Sequence, residues 1–212
     1  MENYQPIEDH MMAINVDALS KRDVYALLTE SIVPRPIAFV SSTNENGTLN
    51  AAPFSYFNVV SAKPPLVMVS VGKRRGRDKD TAKNIKRTQE FVINMVDQHM
   101  IENVNAASAS YSGNESEVDN VGLHAVRSQS IATNGVAESP VRFECEVHQI
   151  IPLSEDEEET ATLVLGRIKR MQVKRDAFSD GKIDANKLNL IGRLGGEQYT
   201  TLGTIFNLSR PK

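Results

Sequence analysis

The chain has 212 residues, 40% of them hydrophobic and 24% charged, with a formal net charge of -3. That is the composition of an ordinary soluble globular protein, in a length that fits one large domain with a real core. A sequence pI near 5.9 removes the global attraction on which nucleic-acid binders rely, and a single cysteine, Cys145, excludes an internal disulfide and a thiolate metal cluster.

The opening MENYQPIEDHMM is acidic and has no apolar core of signal-peptide length. No run approaches the roughly 18 apolar residues of a membrane span. A reducing cytoplasm is therefore the expected compartment, with no membrane or nucleic-acid partner, and the Asn-x-Ser/Thr triplets at Asn46, Asn114 and Asn207 are chance matches. One domain over 1–212 is expected, with residues 1–16 as an N-terminal extension.

Asp17 to Glu30 reads as a short helix with Val24, Leu27 and Leu28 on one face. Pro34 and Pro36 end it and hold Arg35 extended. Ile37 to Ser42 is strand-like, and Asn44-Glu45-Asn46-Gly47 is a turn that brings a second strand back from Thr48. Pro53 confines that second strand to an edge or a bulge. Leu66 to Val71 is a third strand. Asp80 reads as the N-cap of a helix through Lys86, and Glu90 to Val96 as a fourth strand.

Gln98 to Ser110 reads as a helix with Ile101, Val104 and Ala107 or Ala109 turned inward, and 111–120 as an exposed loop. Pro140 to Pro152 is a half-buried strand in which Val141, Phe143, Cys145 and Val147 alternate with Arg142, Glu144, Glu146 and His148. Glu155 to Glu159 is a solvated acidic turn, and Thr162 to Val173 the returning strand. The tail is rich in glycine. Many strands, few helices and hairpin turns point to a mainly β protein with flanking helices, a closed antiparallel barrel and not a βαβ sheet.

Several chemistries fail on pattern. No GxGxxG follows a strand, and the Walker pattern is absent. The histidines at 10, 99, 124 and 148 lack metal spacing with one another or with Cys145. Nothing resembles a Ser/His/Asp arrangement, and Cys145 faces inward as an inert thiol.

One signal survives. Five Lys or Arg residues lie between Gly72 and Asp80 in a chain of net charge -3. They follow an apolar strand and precede a helix start where Thr81 and Asn84 share a face. The loop alone is open to two readings, a solvated turn or a phosphate site at a helix N-terminus. The stretch before it, NAAPFSYFNVVS, reads either as barrel core or as a platform for a flat aromatic ring. Asn50, Ser55 and Asn58 need hydrogen-bond partners that a core does not supply.

PRPIAFVSS, NGTLNAAPFSYFNVVSAKPPLVMVSV, KDTAKNI, EFVINMV and IGRLGG with Tyr199, in that order, resemble the flavin reductase-like family of FMN-binding split-barrel proteins. That family includes flavoredoxins and the reductase components of two-component monooxygenases, such as the nitrilotriacetate type. The likeness runs from about Val24 to Leu208. It implies a six-stranded Greek-key split barrel, noncovalent FMN, NADH or NADPH as transient electron donor, and a homodimer with flavin near the interface. By position, Asn50, Ser55, Tyr56, Phe57 and Asn58 line the ring. Ser70, Lys73, Arg74, Thr81 and Asn84 serve the phosphate, and Arg193 and Tyr199 close over the site. No catalytic side chain and no metal are implied, because the flavin itself carries the electrons. The readings this leaves are a flavin reductase serving a partner monooxygenase, a flavoredoxin-like electron carrier, and a non-redox module for another anionic ligand.

Overall fold

Alternating sequence in residues 141–173 builds the longest feature of the molecule, a hairpin whose turn residues Asp156 and Glu157 both sit at positive φ, 48° and 68°. A tight hairpin requires such backbone at its tip. The computed structural model describes residues 4–8, 10–109 and 115–211.

In chain order the main sheet comprises β1 (Ala38–Thr43), β2 (Leu49–Phe54), β3 (Phe57–Ala62), β4 (Pro65–Gly72), β5 (Glu90–Met95), β6 (Val141–Glu155) and β7 (Glu158–Val173). All neighbours are antiparallel, in the spatial order β2-β1-β5-β6-β7-β4-β3. Six of these are the strands expected from the pattern. The seventh, β3, is part of the aromatic stretch, whose residues from Val59 to Ala62 expose most of their side chains and show no clean alternation. The helices are α1 (Lys21–Ser31), α2 (Asp80–Thr88), α3 (Ile101–Ala106) and α4 (Glu117–Asn120). Before α1, residues 4–8 and 11–14 pair as a separate hairpin. Among the described residues no helix is long and apolar enough to cross a membrane.

Strand β1 explains how the core is divided. Ala38 and Val40 enter one cluster with Phe54, Val69, Ile85, Phe91 and Cys145. On its other face Phe39 enters a second cluster with Leu49, Val104, Val118 and Ile191. A strand covered on both faces is apolar throughout, which is why Ile37 to Val40 shows no alternation.

Local differences from the sequence reading have physical reasons. Helix α1 begins at Lys21, capped by the Ser20 hydroxyl, which accepts from Asp23 N at 3.2 Å; Leu28 faces out while Val24 and Leu27 are half-buried. Asp80 is the first helical residue of α2 and not its N-cap. Lys79 occupies that position without a side-chain cap, and Asp80 pairs with Lys83 at 3.0 Å. Helix α3 is shorter than 98–110 because the Asp97 carboxylate accepts from His99 N and Met100 N at 3.0 and 3.1 Å, ordering those residues before the helix starts. Residues 111–114 of the expected loop, with Ser110 at the end of the expected helix, lie outside the described residues, whereas Glu117–Asn120 is helix α4, with Val118 fully buried.

The expected alternation in β6 holds, with Phe143, Cys145 and Val147 packed on one core face; the bulge opposite Glu144 and Cys145 lies on β7, where the register passes over Lys169. Glu144 is nonetheless buried at 1% exposure on the other face, which residues 129–130 cover, beside Cys145 at 0%. Buried Glu144 is satisfied by Gln129 N at 2.9 Å, Ser130 N at 2.6 Å and Gln172 Nε2 at 2.8 Å. Cys145 is the inert thiol expected, with burial pushing its pKa well above the ordinary range. Gly166 on β7 makes room for this packing, since a Cβ there would lie 2.4 Å from Phe91 Cζ.

Candidate functional site

Helix α2 packs an amphipathic face on the sheet, burying Thr81, Ala82, Asn84 and Ile85. Thr81 and Asn84 do share a face, as expected, but that face is turned toward β1 and β2. Thr81 Oγ1 donates to Asn50 Oδ1 at 3.2 Å, Ser42 Oγ donates to the same oxygen at 3.3 Å, and Asn84 Nδ2 donates to Ser42 Oγ at 3.2 Å. Asn50 Nδ2 in turn donates to Glu117 Oε1 at 2.6 Å, while Ala51 N donates to Glu117 Oε2 at 3.2 Å. Burial pushes the Glu117 carboxyl above its ordinary range, against the lowering effect of these hydrogen bonds. Asn50, Thr81 and Asn84 thus form one network with Ser42 and Glu117, two residues that no motif or local pattern singles out.

The basic loop divides by partner. Lys73 is committed to Glu159 at 3.0 Å and Asp78 at 3.5 Å, and Lys86 also reaches Asp78, at 2.8 Å. The acidic turn is therefore not simply solvated, because Glu159 anchors the loop. The loop tip is tied by reciprocal backbone hydrogen bonds between Arg74 and Arg77 at 2.9 and 3.1 Å. Lys79 lies with its ammonium 5.5 Å from the centroid of the Phe54 ring. Burial, and then the nearby Arg74 charge, lower its pKa from the ordinary lysine value. Among the described residues no carboxylate pairs with Arg74 or Lys79. Two mutually repelling cations at a helix start that lacks a side-chain cap are what a phosphate dianion would neutralise.

Phe54 connects this loop to a cavity of about 220 Å³, walled by Tyr25, Pro53, Ser55, Asn105, Arg193 and Tyr199 among others. Ser55, Arg193 and Tyr199 are therefore brought together. The Arg193 guanidinium stacks on the Tyr199 ring at 4.3 Å, and the Tyr199 hydroxyl donates to Asn105 Oδ1 at 3.1 Å. Arg35, buried at 6% exposure, braces the cavity from behind. It donates to Ser55 Oγ at 3.4 Å and to the carbonyls of Thr29, Ile32 and Leu194. Tyr56 stacks on Tyr25 at the rim, 6.2 Å between centroids. The remaining positions are apart from both groups: Phe57 is packed in the barrel core, Asn58 is exposed on β3, and Ser70 is half-buried on the face of β4 opposite Val69 and Val71.

Residues 30–188 match the family model described as flavin reductase like domain. The chain belongs to the flavin reductase-like family. This flavin reductase-like chain is 40% identical to nitrilotriacetate monooxygenase component B from Bacillus cereus, whose crystal structure superposes with a TM-score of 0.92, covering 95% of this chain and 100% of that one. It is 32% identical to 2-nitrobenzoate 2-nitroreductase of Pseudomonas fluorescens, with a TM-score of 0.84 and coverage of 93% and 95%. A structure from Shewanella frigidimarina described as having a split barrel domain is 23% identical, with a TM-score of 0.80 and coverage of 92% and 96%. The fold of the flavin reductase-like chain is this split barrel.

Proposed function

We propose that the chain is an NAD(P)H-dependent FMN reductase that supplies reduced flavin to a partner monooxygenase. The observation that carries this reading is the pair Arg74 and Lys79 at the start of α2, with no carboxylate partner among the described residues, and Lys79 resting on Phe54, the residue that joins the loop to the cavity. When bound, FMN supplies the two-electron redox chemistry. The protein's own residues bind and orient. Arg74, Lys79 and the first-turn amides of α2 would hold the phosphate. Phe54, Ser55 and Tyr56 would support the ring, and Arg193 and Tyr199 would close the far wall. The Glu117–Asn50–Thr81 network fixes where α2 begins, and so where those amides point.

The absence of an acid–base dyad from this reading costs nothing, because hydride transfer to a flavin needs no protein acid. The similarity to a monooxygenase component B supports a partner oxygenase. A homodimer is supported by apolar residues left exposed by one chain: Val59 and Val60 on edge strand β3, and Ile205, Phe206 and Leu208 in the tail. Such surface is characteristic of an interface. A cytoplasmic location is part of the same reading.

Fluorescence titration of the purified protein with FMN, FAD and riboflavin tests the cofactor assignment. FMN is expected to bind tightest, since the loop holds one phosphate beside the helix start. A protein that leaves FMN fluorescence and absorbance unchanged contradicts it.

A further inference from the structure

A single chain leaves the cavity at Phe54 unfinished. It measures about 220 Å³, less than the roughly 300–1,000 Å³ of sites for drug-sized ligands. Its lining ends at Tyr199, so the tail that follows does not close it. Residues 201–211 form no helix or strand and are exposed throughout. Among the described residues no main-chain hydrogen bond ties 202–211 to the body of the chain. Yet this tail is apolar, with Leu202, Ile205, Phe206 and Leu208 exposed by 48%, 53%, 72% and 83%.

A second apolar surface lies at the cavity mouth. Tyr25, Leu28 and Ile32 follow one another at helical spacing along one stripe at α1, and all three are exposed. Tyr25 also lines the cavity and stacks on Tyr56, which carries the stripe across to Val59 and Val60 on edge strand β3. Those two are 68% and 51% exposed, and the register of β3 against β4 passes over Val60.

Within one chain neither surface covers the other, since both stay exposed. Apolar surface of this extent marks an interface. The chain therefore carries both halves of a self-complementary contact, which a two-fold axis satisfies twice. Extended, the eight residues 201–208 reach up to roughly 26–29 Å, enough to cross to a neighbouring copy. We propose that the tail of a second copy lies along this face, with Phe206 against Tyr25, Tyr56 and Val59, so that each chain closes the other's cavity. This goes beyond dimerisation, because the partner chain supplies a wall of the site. The exchange stands on the two surfaces alone. Its consequence, exclusion of water from the flavin, rests on the function proposed above.

Cross-linking tests the exchange. Cys145, the one native cysteine, is buried, so Val59→Cys and Phe206→Cys report without background. The full chain carrying both substitutions is treated with a short bis-maleimide at micromolar concentration, with and without FMN, and run on a denaturing gel. Two chains linked covalently are expected, while neither single variant links. Circular dichroism establishes that each variant is folded. A link within one chain, seen as a monomer of altered mobility, shows the tail folded back on its own β3 and overturns the proposal. A two-chain link from Val59→Cys alone, or no link at all, overturns it too. The full chain with Ile205→Ser, Phe206→Ser and Leu208→Ser should dimerise at least about tenfold more weakly in sedimentation, as befits loss of buried apolar side chains. Unchanged dimerisation, or a monomeric wild type, contradicts the exchange. Parallel FMN titrations separate the two readings. A two-chain link in a protein that does not bind FMN leaves the exchange standing and removes the cofactor assignment, and FMN binding without the link removes the exchange alone.

Discussion

Thr81 donates its hydroxyl proton to the side-chain oxygen of Asn50, at 3.2 Å, from a position only 2% exposed. That hydroxyl is therefore not free to donate to a phosphate, although the Thr81 backbone N–H lies in the open first turn of α2. Thr81→Ala should cost stability by about 0.5–1.5 kcal/mol, the net worth of an ordinary hydrogen bond. Its effect on FMN affinity should be less than about tenfold, and Thr81→Ser should restore both. Thermal melts beside FMN titrations measure the two effects separately.

Lys79 and Lys73 should behave oppositely. Lys79→Ala removes a cation from the proposed phosphate site, so FMN affinity should fall by about ten- to a hundredfold, the value of a charge-assisted hydrogen bond. Riboflavin affinity should hardly change, and the FMN effect should shrink as salt screens the loop. Lys73→Ala instead releases Glu159 and Asp78. It should leave FMN affinity near wild type, with little change in stability, as for an exposed ion pair.

The lowered pKa of Lys79 also gives a pH dependence. The free protein loses that ammonium proton below the ordinary lysine range, and a bound phosphate would hold it. FMN affinity should therefore decline as pH rises through that depressed value, and the decline should be absent from Lys79→Met. An identical alkaline profile in the variant would show that another group is responsible.

Burial raises the Glu117 pKa, so protonation of this carboxyl favours the folded state over the unfolded chain. The linkage sign follows: the penalty for the buried charge is present above the folded pKa and is relieved as pH falls through it. Glu117→Gln should remove this pH-dependent contribution. Glu117→Ala should cost about 1–3 kcal/mol, because the Asn50 amide loses its partner. Chemical denaturation of both variants across the acidic range provides the comparison.

Much of the fold was legible because its strands follow simple patterns. Pro53 marked β2 as an edge, and the Asn-Gly turn set the β1–β2 hairpin. Strand β3 was hidden by its own exposure, since Val59 and Val60 face outward where alternation calls for polar residues. Glu144 follows the expected alternation, but Gln129 and Ser130 cover its face and satisfy its carboxylate, a tertiary cover that no local pattern encodes. At the site, clustering of cations was visible, but pairing was not. Lys73 is neutralised by Glu159, 86 residues away in the chain, and only the register of β7 against β4 brings the two together. Ser42 and Glu117 lacked a local signal for the same reason. Their partners are Asn84 and Asn50, reached through the tertiary packing of α2 and α4 on the sheet.

Gly166→Ala tests the core that carries the site. The added methyl meets Phe91 and Cys145, and overpacking of this kind costs about 1–3 kcal/mol. Denaturant melts should show that loss, with FMN affinity near wild type in the folded fraction.

Steady-state oxidation of NADH and of NADPH by the purified protein, with and without added free FMN, tests the central claim most directly. The account predicts turnover of at least one nucleotide, rising with added FMN until it saturates. Stoichiometric bound flavin with turnover indifferent to added FMN would indicate an electron carrier, and no oxidation of either nucleotide in the presence of FMN would contradict the reductase assignment outright.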